Sequence, residues 1–184
     1  VSMTNFGTFG DSYSDWPDCF TGLVWDIGSE FPKGSHLYSL YNAAIWIGGV
    51  VDGDTLVSTG DIRCGYDQHQ EFCPDPIPFG EMITRSLAES YLGDEEQPVS
   101  DQDIIATYTD TVALSDYPDF TRGTYHESLG LHITQKSYAW SHGLAEDFIL
   151  IEITVKNIGD KDISDLFFGV RARPAVGYLE LGLG

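Results

Sequence analysis

Carboxylates gathered at turns are the first chemistry the residues offer. Asp160, Asp162 and Asp165 sit close together in the C-terminal half, and Asp52 and Asp54 flank Gly53. Carboxylates and turn carbonyls are what a hard cation such as calcium requires. Neither cluster has EF-hand spacing, and Asp also favours turns through hydrogen bonds to its own backbone. Asp160, Asp162 and Asp165 are therefore candidate calcium ligands, with turn formation as the plainer account; no other cofactor is expected.

The thiols are Cys19, Cys64 and Cys73. Cys64 and Cys73 bound the polar stretch RCGYDQHQEFC, and a disulfide closing so short a loop would stabilise it by about 2 to 3 kcal/mol. Cys19 is then left over as a buried thiol. A zinc site built from Cys19, Cys64, His69 and Cys73 competes, but C-x4-H-x3-C matches no common zinc finger.

Signatures of catalysis are missing. The chain contains no G-x-S-x-G, Walker A, H-E-x-x-H or dinucleotide fingerprint. Acid pairs cannot be singled out where carboxylates are this abundant, because their chemistry depends on a separation in space. Of His36, His69, His126, His132 and His142, only the His69-x-Glu71 and His126-Glu127 neighbourhoods hint at a site, and polar loop or surface imidazoles are the plainer account. The expectation is a protein that is not an enzyme. Tyr13, Trp16, Trp25, Tyr66 and Tyr117 lie in turn-rich stretches, where exposed rings could stack on sugars, although core packing claims most aromatics of an all-β chain.

Charge narrows the partners. Nine Lys and Arg against 29 Asp and Glu give a formal charge of −20, the wrong sign for nucleic acid or an anionic membrane. No apolar run is long enough to cross a membrane as a helix. The first residues, VSMTNFGTFG, lack the pattern of a signal peptide, and a start at Val1 reads as a removed leader or an excised fragment. The first option places the protein outside the cytoplasm, secreted or at the cell surface.

The elements that must hold these residues are strands. Over 184 residues with 42% hydrophobic content, 20 glycines and eight prolines, the pattern predicts one all-β domain, an antiparallel β-sandwich of immunoglobulin-like or jelly-roll-like type. Val1 to Asp18 reads as an extended arm. Thr21 to Ile27 reads as a short strand. Ala44 to Val51 and Thr55 to Ser58 form a hairpin about Asp52-Gly53-Asp54, with Trp46 at the centre of the core and Gly48-Gly49 marking a bulge or close backbone crossing. Residues 60–100 are an irregular insertion, with a short helix near Glu81 to Tyr91; Pro74, Pro76 and Pro78 exclude a central strand there. Ile104 to Val112 resumes the strand pattern, and Leu129 to Ser141, apolar only at its start, reads as a strand at a sheet margin.

Phe148 to Arg173 carries two strong alternations, Ile149, Ile151, Ile153, Val155 and then Leu166, Phe168, Val170, Ala172. The pair reads as an antiparallel hairpin whose greasy faces need a facing sheet. In Ala175 to Gly184, Leu179, Leu181 and Leu183 alternate with Glu180, Gly182 and Gly184, a small strand with one apolar side.

TNFGTFG (Thr4 to Gly10), IWIGGVVDGDTLVSTG (Ile45 to Gly60), EF-x-P (Glu71 to Pro74) and VKNIGDKDISDLFFGV within Phe148 to Val170 resemble a group of uncharacterised secreted β-rich proteins of environmental bacteria. The second half is similar to bacterial immunoglobulin-like adhesion modules, in which a strand ending in Asn-x-Gly precedes a loop and a partner strand. The resemblance implies secretion and supplies no catalytic residues.

These readings converge on an extracellular structural protein that assembles with itself into a fibre or surface layer by β-strand complementation. Tyr178, Leu179, Leu181 and Leu183 are the donor residues at one terminus, and Phe6 and Phe9, in the arm Ser2 to Phe9, are those at the other. A carbohydrate-binding or adhesion module of a larger secreted protein is the alternative, with a glycan as partner in place of another copy.

Overall fold

A computed structural model describes residues 3–10, 39–60, 71–75, 82–87, 97–111 and 126–174. Their strands form two antiparallel sheets that pack as a β-sandwich and do not close into a barrel.

The first sheet is built on β2 (Leu40–Val51), with β1 (Thr8–Phe9) and β3 (Asp54–Thr59) along one flank and β9 (Ile163–Pro174) along the other. Asp52 (φ 53°) and Gly53 (φ 93°) turn β2 into β3, two successive positive φ angles that match the twist of a tight hairpin. The second sheet runs β6 (Gln102–Thr109), β7 (Leu131–Ala139), β8 (Ile149–Asn157), with β4 (Cys73–Pro74) and β5 (Ile83–Ser86) sharing the far side of β6. Pro74 lies at that margin, where a missing N–H costs no ladder bond.

Between the sheets, Phe6, Phe9, Ile45, Ile47 and Val51 meet Phe72, Tyr108, Leu129, Leu131 and Ile133. Ile45, Ile47 and Ile133 are wholly buried, each a stabilisation of about 1.5 to 3 kcal/mol over exposure. Gly49 marks the close crossing expected of the glycine pair: a Cβ there would fall 2.5 Å from Ile163 Cγ2, and the β2–β9 register shifts between Gly48 and Val50.

Several expectations are corrected. The strands of Phe148 to Arg173 are not a hairpin: β8 pairs with β7, and β9 pairs with β2 in the other sheet. The intervening loop is instead a crossing between sheets, tied down where Ile158 N and Gly159 N donate to Gly130 O at 2.8 and 3.1 Å. β7 is not marginal but lies between β6 and β8. Its polar Gln135 and Ser137 point inward and are buried, and the Tyr108 hydroxyl, donating to Gln135 Oε1 at 3.0 Å, offsets part of the cost of burying that amide. Burial pushes the Tyr108 phenol well above its ordinary range, so it remains a neutral donor.

Trp46 does not fill the core. Its neighbours Ile45 and Ile47 do, which turns the half-buried indole to the opposite face of the sheet. The short helix is absent where described: Ile83 to Ser86 pairs with Ile105 to Gln102 as β5, so the 60–100 region supplies two strands to the second sheet.

The N-terminal arm is not a loose donor. Thr8 and Phe9 pair with Ala44 and Ala43 of their own chain, Ile45 N donates to Gly7 O at 3.0 Å, and Phe6 and Phe9 are core residues. Gly7 permits this fit, with φ 78° and a would-be Cβ 2.8 Å from Ile45 Cγ1.

Candidate functional site

The inward side chains of β8 are Ile149, Ile151, Ile153 and Val155, an aliphatic row at the two-residue period of a strand. On β9, Phe168 and Val170 lie opposite the buried Ile47 and Ile45 of β2, so they face the same way as the core. Yet among the described residues these rows are only partly covered. Ile149 and Ile151 are each 36% exposed, Phe168 49% and Val170 58%.

What separates them is a groove of about 950 Å³, floored by Met3, Phe9, Leu40 and Ala43 and walled by the β8 and β9 rows, with Phe148 at one end and Glu146 and Asp147 on its rim. Among the described residues, β8 pairs with no strand but β7, and β9 with none but β2. Consecutive in the chain and joined by a short crossing, the two strands wall the same groove from opposite sheets.

The remaining margins are blunter. β1 and β4 are two residues long, β5 four and β3 six, and β4 carries Pro74, whereas β8 runs nine residues and β9 twelve. Short length and proline are the usual protections of a sheet edge. The β8–β9 flank is long and carries proline only at its end, Pro174, with Lys156, Arg171 and Arg173 as its basic charges, and it adds exposed Leu150 and Phe167 on its outer faces. Chemically, such a flank can take up an extended peptide, with edges that no further described strand pairs and a groove for alternate side chains.

Asp160, Asp162 and Asp165 are exposed, and no group of three His, Cys, Asp or Glu side chains that could hold a metal occurs among the described residues. Instead Asp165 takes a positive φ of 48° beside the β9 register shift, and Lys161 Nζ lies 2.9 Å from Asp52 Oδ2. That hydrogen-bonded ion pair raises the Lys161 pKa and links the crossing loop to the β2–β3 turn.

Tyr178, Leu179, Leu181 and Leu183 lie outside the described residues, as do Cys19, Cys64, His69 and the candidate stacking residues Tyr13, Trp16, Trp25, Tyr66 and Tyr117. Cys73 is fully buried in β4. Of the histidine neighbourhoods, the structure brings together partners distant in sequence: His126 Nδ1 lies 3.3 Å from Glu71 Oε1, and His132 Nε2 lies 3.0 Å from Asp75 Oδ2. Glu71 Oε2 also accepts a hydrogen bond from Thr59 N at 2.7 Å, tying the segment before β4 to the first sheet.

Sequence reasoning missed Asp110. This buried carboxylate accepts from Ser58 Oγ at 2.6 Å, Leu129 N at 2.8 Å and Leu131 N at 2.6 Å. Its position directly after a strand of alternating apolar residues was the available signal, and it does not distinguish a buried clamp from an ordinary turn aspartate. A second unread feature is the aromatic row Tyr138, Trp140, Phe148, with ring centroids 6.4 and 6.0 Å apart in succession, which ends at the groove.

No family model matches the chain, and neither does any curated protein or solved structure.

Proposed function

We propose that the protein is an extracellular structural subunit, without catalytic activity, that assembles with copies of itself by β-strand complementation. The β8–β9 flank is the acceptor, and Tyr178 to Leu183 of a second copy is the donor. The observation that supports the reading is the pairing of two long strand edges with an apolar groove between them that the described residues leave open. Among the described residues the sandwich has room for one more strand.

The donor's pattern fits the acceptor's need. Leu179, Leu181 and Leu183 recur at the same spacing as Ile149, Ile151 and Ile153, roughly 6.8 Å along one face. Burying three leucines contributes about 5 to 9 kcal/mol, while ordering six residues costs on the order of 6 to 12 kcal/mol of backbone entropy. The surplus must come from main-chain hydrogen bonds and from covering Ile151, Phe168 and Val170, so assembly is reversible and depends on concentration. Phe6 and Phe9 pack in the core of their own subunit, which favours the C-terminal stretch over the N-terminal arm as donor. Extracellular placement rests on the resemblance to secreted proteins and on the acidic composition.

Sedimentation velocity across a concentration series, with negative-stain imaging at the highest concentration, tests the proposal. Growing oligomers or fibres are expected from the parent protein, and their loss from Ile151→Asp and Leu181→Asp variants that keep the strand signal in circular dichroism. A parent protein that stays monomeric throughout sinks it.

A further inference from the structure

We infer that ionic strength gates this assembly, with Glu146 and Asp147 at the groove rim as the local gate; the inference rests on the strand-complementation reading. Each copy carries a formal charge of −20, so joining copies brings like charge together. A folded chain of this length has a radius of gyration of about 16 Å. The screening length is about 30 Å at 0.01 M salt and about 8 Å at 0.15 M. At the lower concentration, charges over the whole of one copy repel those of the next. At the higher one, only charges at the joint itself still act.

At the groove rim the sign is unfavourable as well, although the strands of the flank also carry Lys156, Arg171 and Arg173. Glu146 and Asp147, both exposed, are the charged residues among those lining the groove, and the charged residue of the donor stretch is Glu180. Among the described residues lining the groove, no cation offsets them. The apolar rows supply attraction at any salt concentration, whereas the repulsion falls as salt rises, so salt decides whether two copies approach closely enough for a strand to enter.

The test is sedimentation velocity and light-scattering kinetics in sodium chloride from 10 to 150 mM, at fixed protein concentration, for the parent and for a Glu146→Gln, Asp147→Asn double variant. Expected are an association rate that rises by about tenfold or more over this range and a double variant that assembles at lower salt than the parent. Because the variant leaves the apolar rows intact, its shift separates screening of the rim from a general salting effect on hydrophobic burial. Equal assembly at 10 and 150 mM overturns the gate and leaves strand complementation standing. A double variant whose salt curve superimposes on the parent's overturns the role of the rim. Absence of assembly at every salt concentration overturns the reading beneath both.

Discussion

Ser58 on β3 donates its hydroxyl to Asp110 at the end of β6 across 2.6 Å, a side-chain hydrogen bond that joins one sheet to the other. The same carboxylate receives the backbone N–H groups of Leu129 and Leu131 as the chain enters β7, so one buried group fixes both the packing of the sheets and the start of the central strand.

Asp110→Ala leaves those donors without their acceptor at a buried position. A loss of about 3 to 5 kcal/mol is expected, against about 1 to 2 kcal/mol for Ser58→Ala, which removes one donor and leaves the carboxylate its other two. Urea denaturation followed by tryptophan fluorescence measures both, and equal losses would refute the assignment of Asp110 as the shared acceptor.

Gly49→Ala tests the close crossing of β2 and β9. With a Cβ placed 2.5 Å from Ile163 Cγ2, the two strands must separate locally, at a cost of about 1 to 3 kcal/mol. Gly53→Ala removes a glycine from a positive-φ turn where the added methyl meets nothing within 4 Å, so its cost is confined to backbone strain of about 1 kcal/mol. Thermal melts should rank Gly49→Ala as the more damaging.

Asp103 is expected to contribute to acid sensitivity. Burial works to raise its pKa, but hydrogen bonds from the Ser100 hydroxyl and from Val99 N and Ser100 N outweigh it and hold the carboxyl below the usual aspartate range. A depressed folded-state pKa means the native state binds the proton more weakly than the unfolded chain. The stabilisation is therefore complete above the unfolded value of about 3.9 and is lost as pH falls through the folded one. Asp103→Asn should lower stability at pH 7 and flatten its fall between about pH 5 and 2; an unchanged acid profile would rule this out.

Phe168→Ser probes the groove without touching the sealed part of the core. Because that ring is half exposed, the expected loss in monomer stability is under about 1.5 kcal/mol, well short of the 3 to 5 kcal/mol of a buried phenylalanine truncated to a small residue. A loss in the larger range, measured by urea denaturation of the monomer, would show that the groove is already filled within a single subunit.

Strand identity is legible in the residues, because a period of two is a local property: Ile149 to Val155 alternate, and Asp52-Gly53 reads as a tight turn, without knowledge of the rest. Facing is not legible in the continuous apolar run Ala44 to Val51, where the residues point to Trp46 for the core and the structure puts Ile45 and Ile47 there. Strand partnership was not legible. The alternation of Ile149 to Val155 and of Phe168 to Ala172 is the same whether the strands bond to each other or face each other across a sandwich. Only the competing ladders with β7 and β2 decide between those arrangements.

Composition and alternation alone determined that this chain is an acidic all-β protein with more apolar rows than one ribbon can bury. The tertiary structure decided which row stays open, why Gln135 can lie inside, and how Asp110 meets Ser58. Each of those depends on groups brought together from distant parts of the chain, and local periodicity carries no information about which distant surface a face will meet.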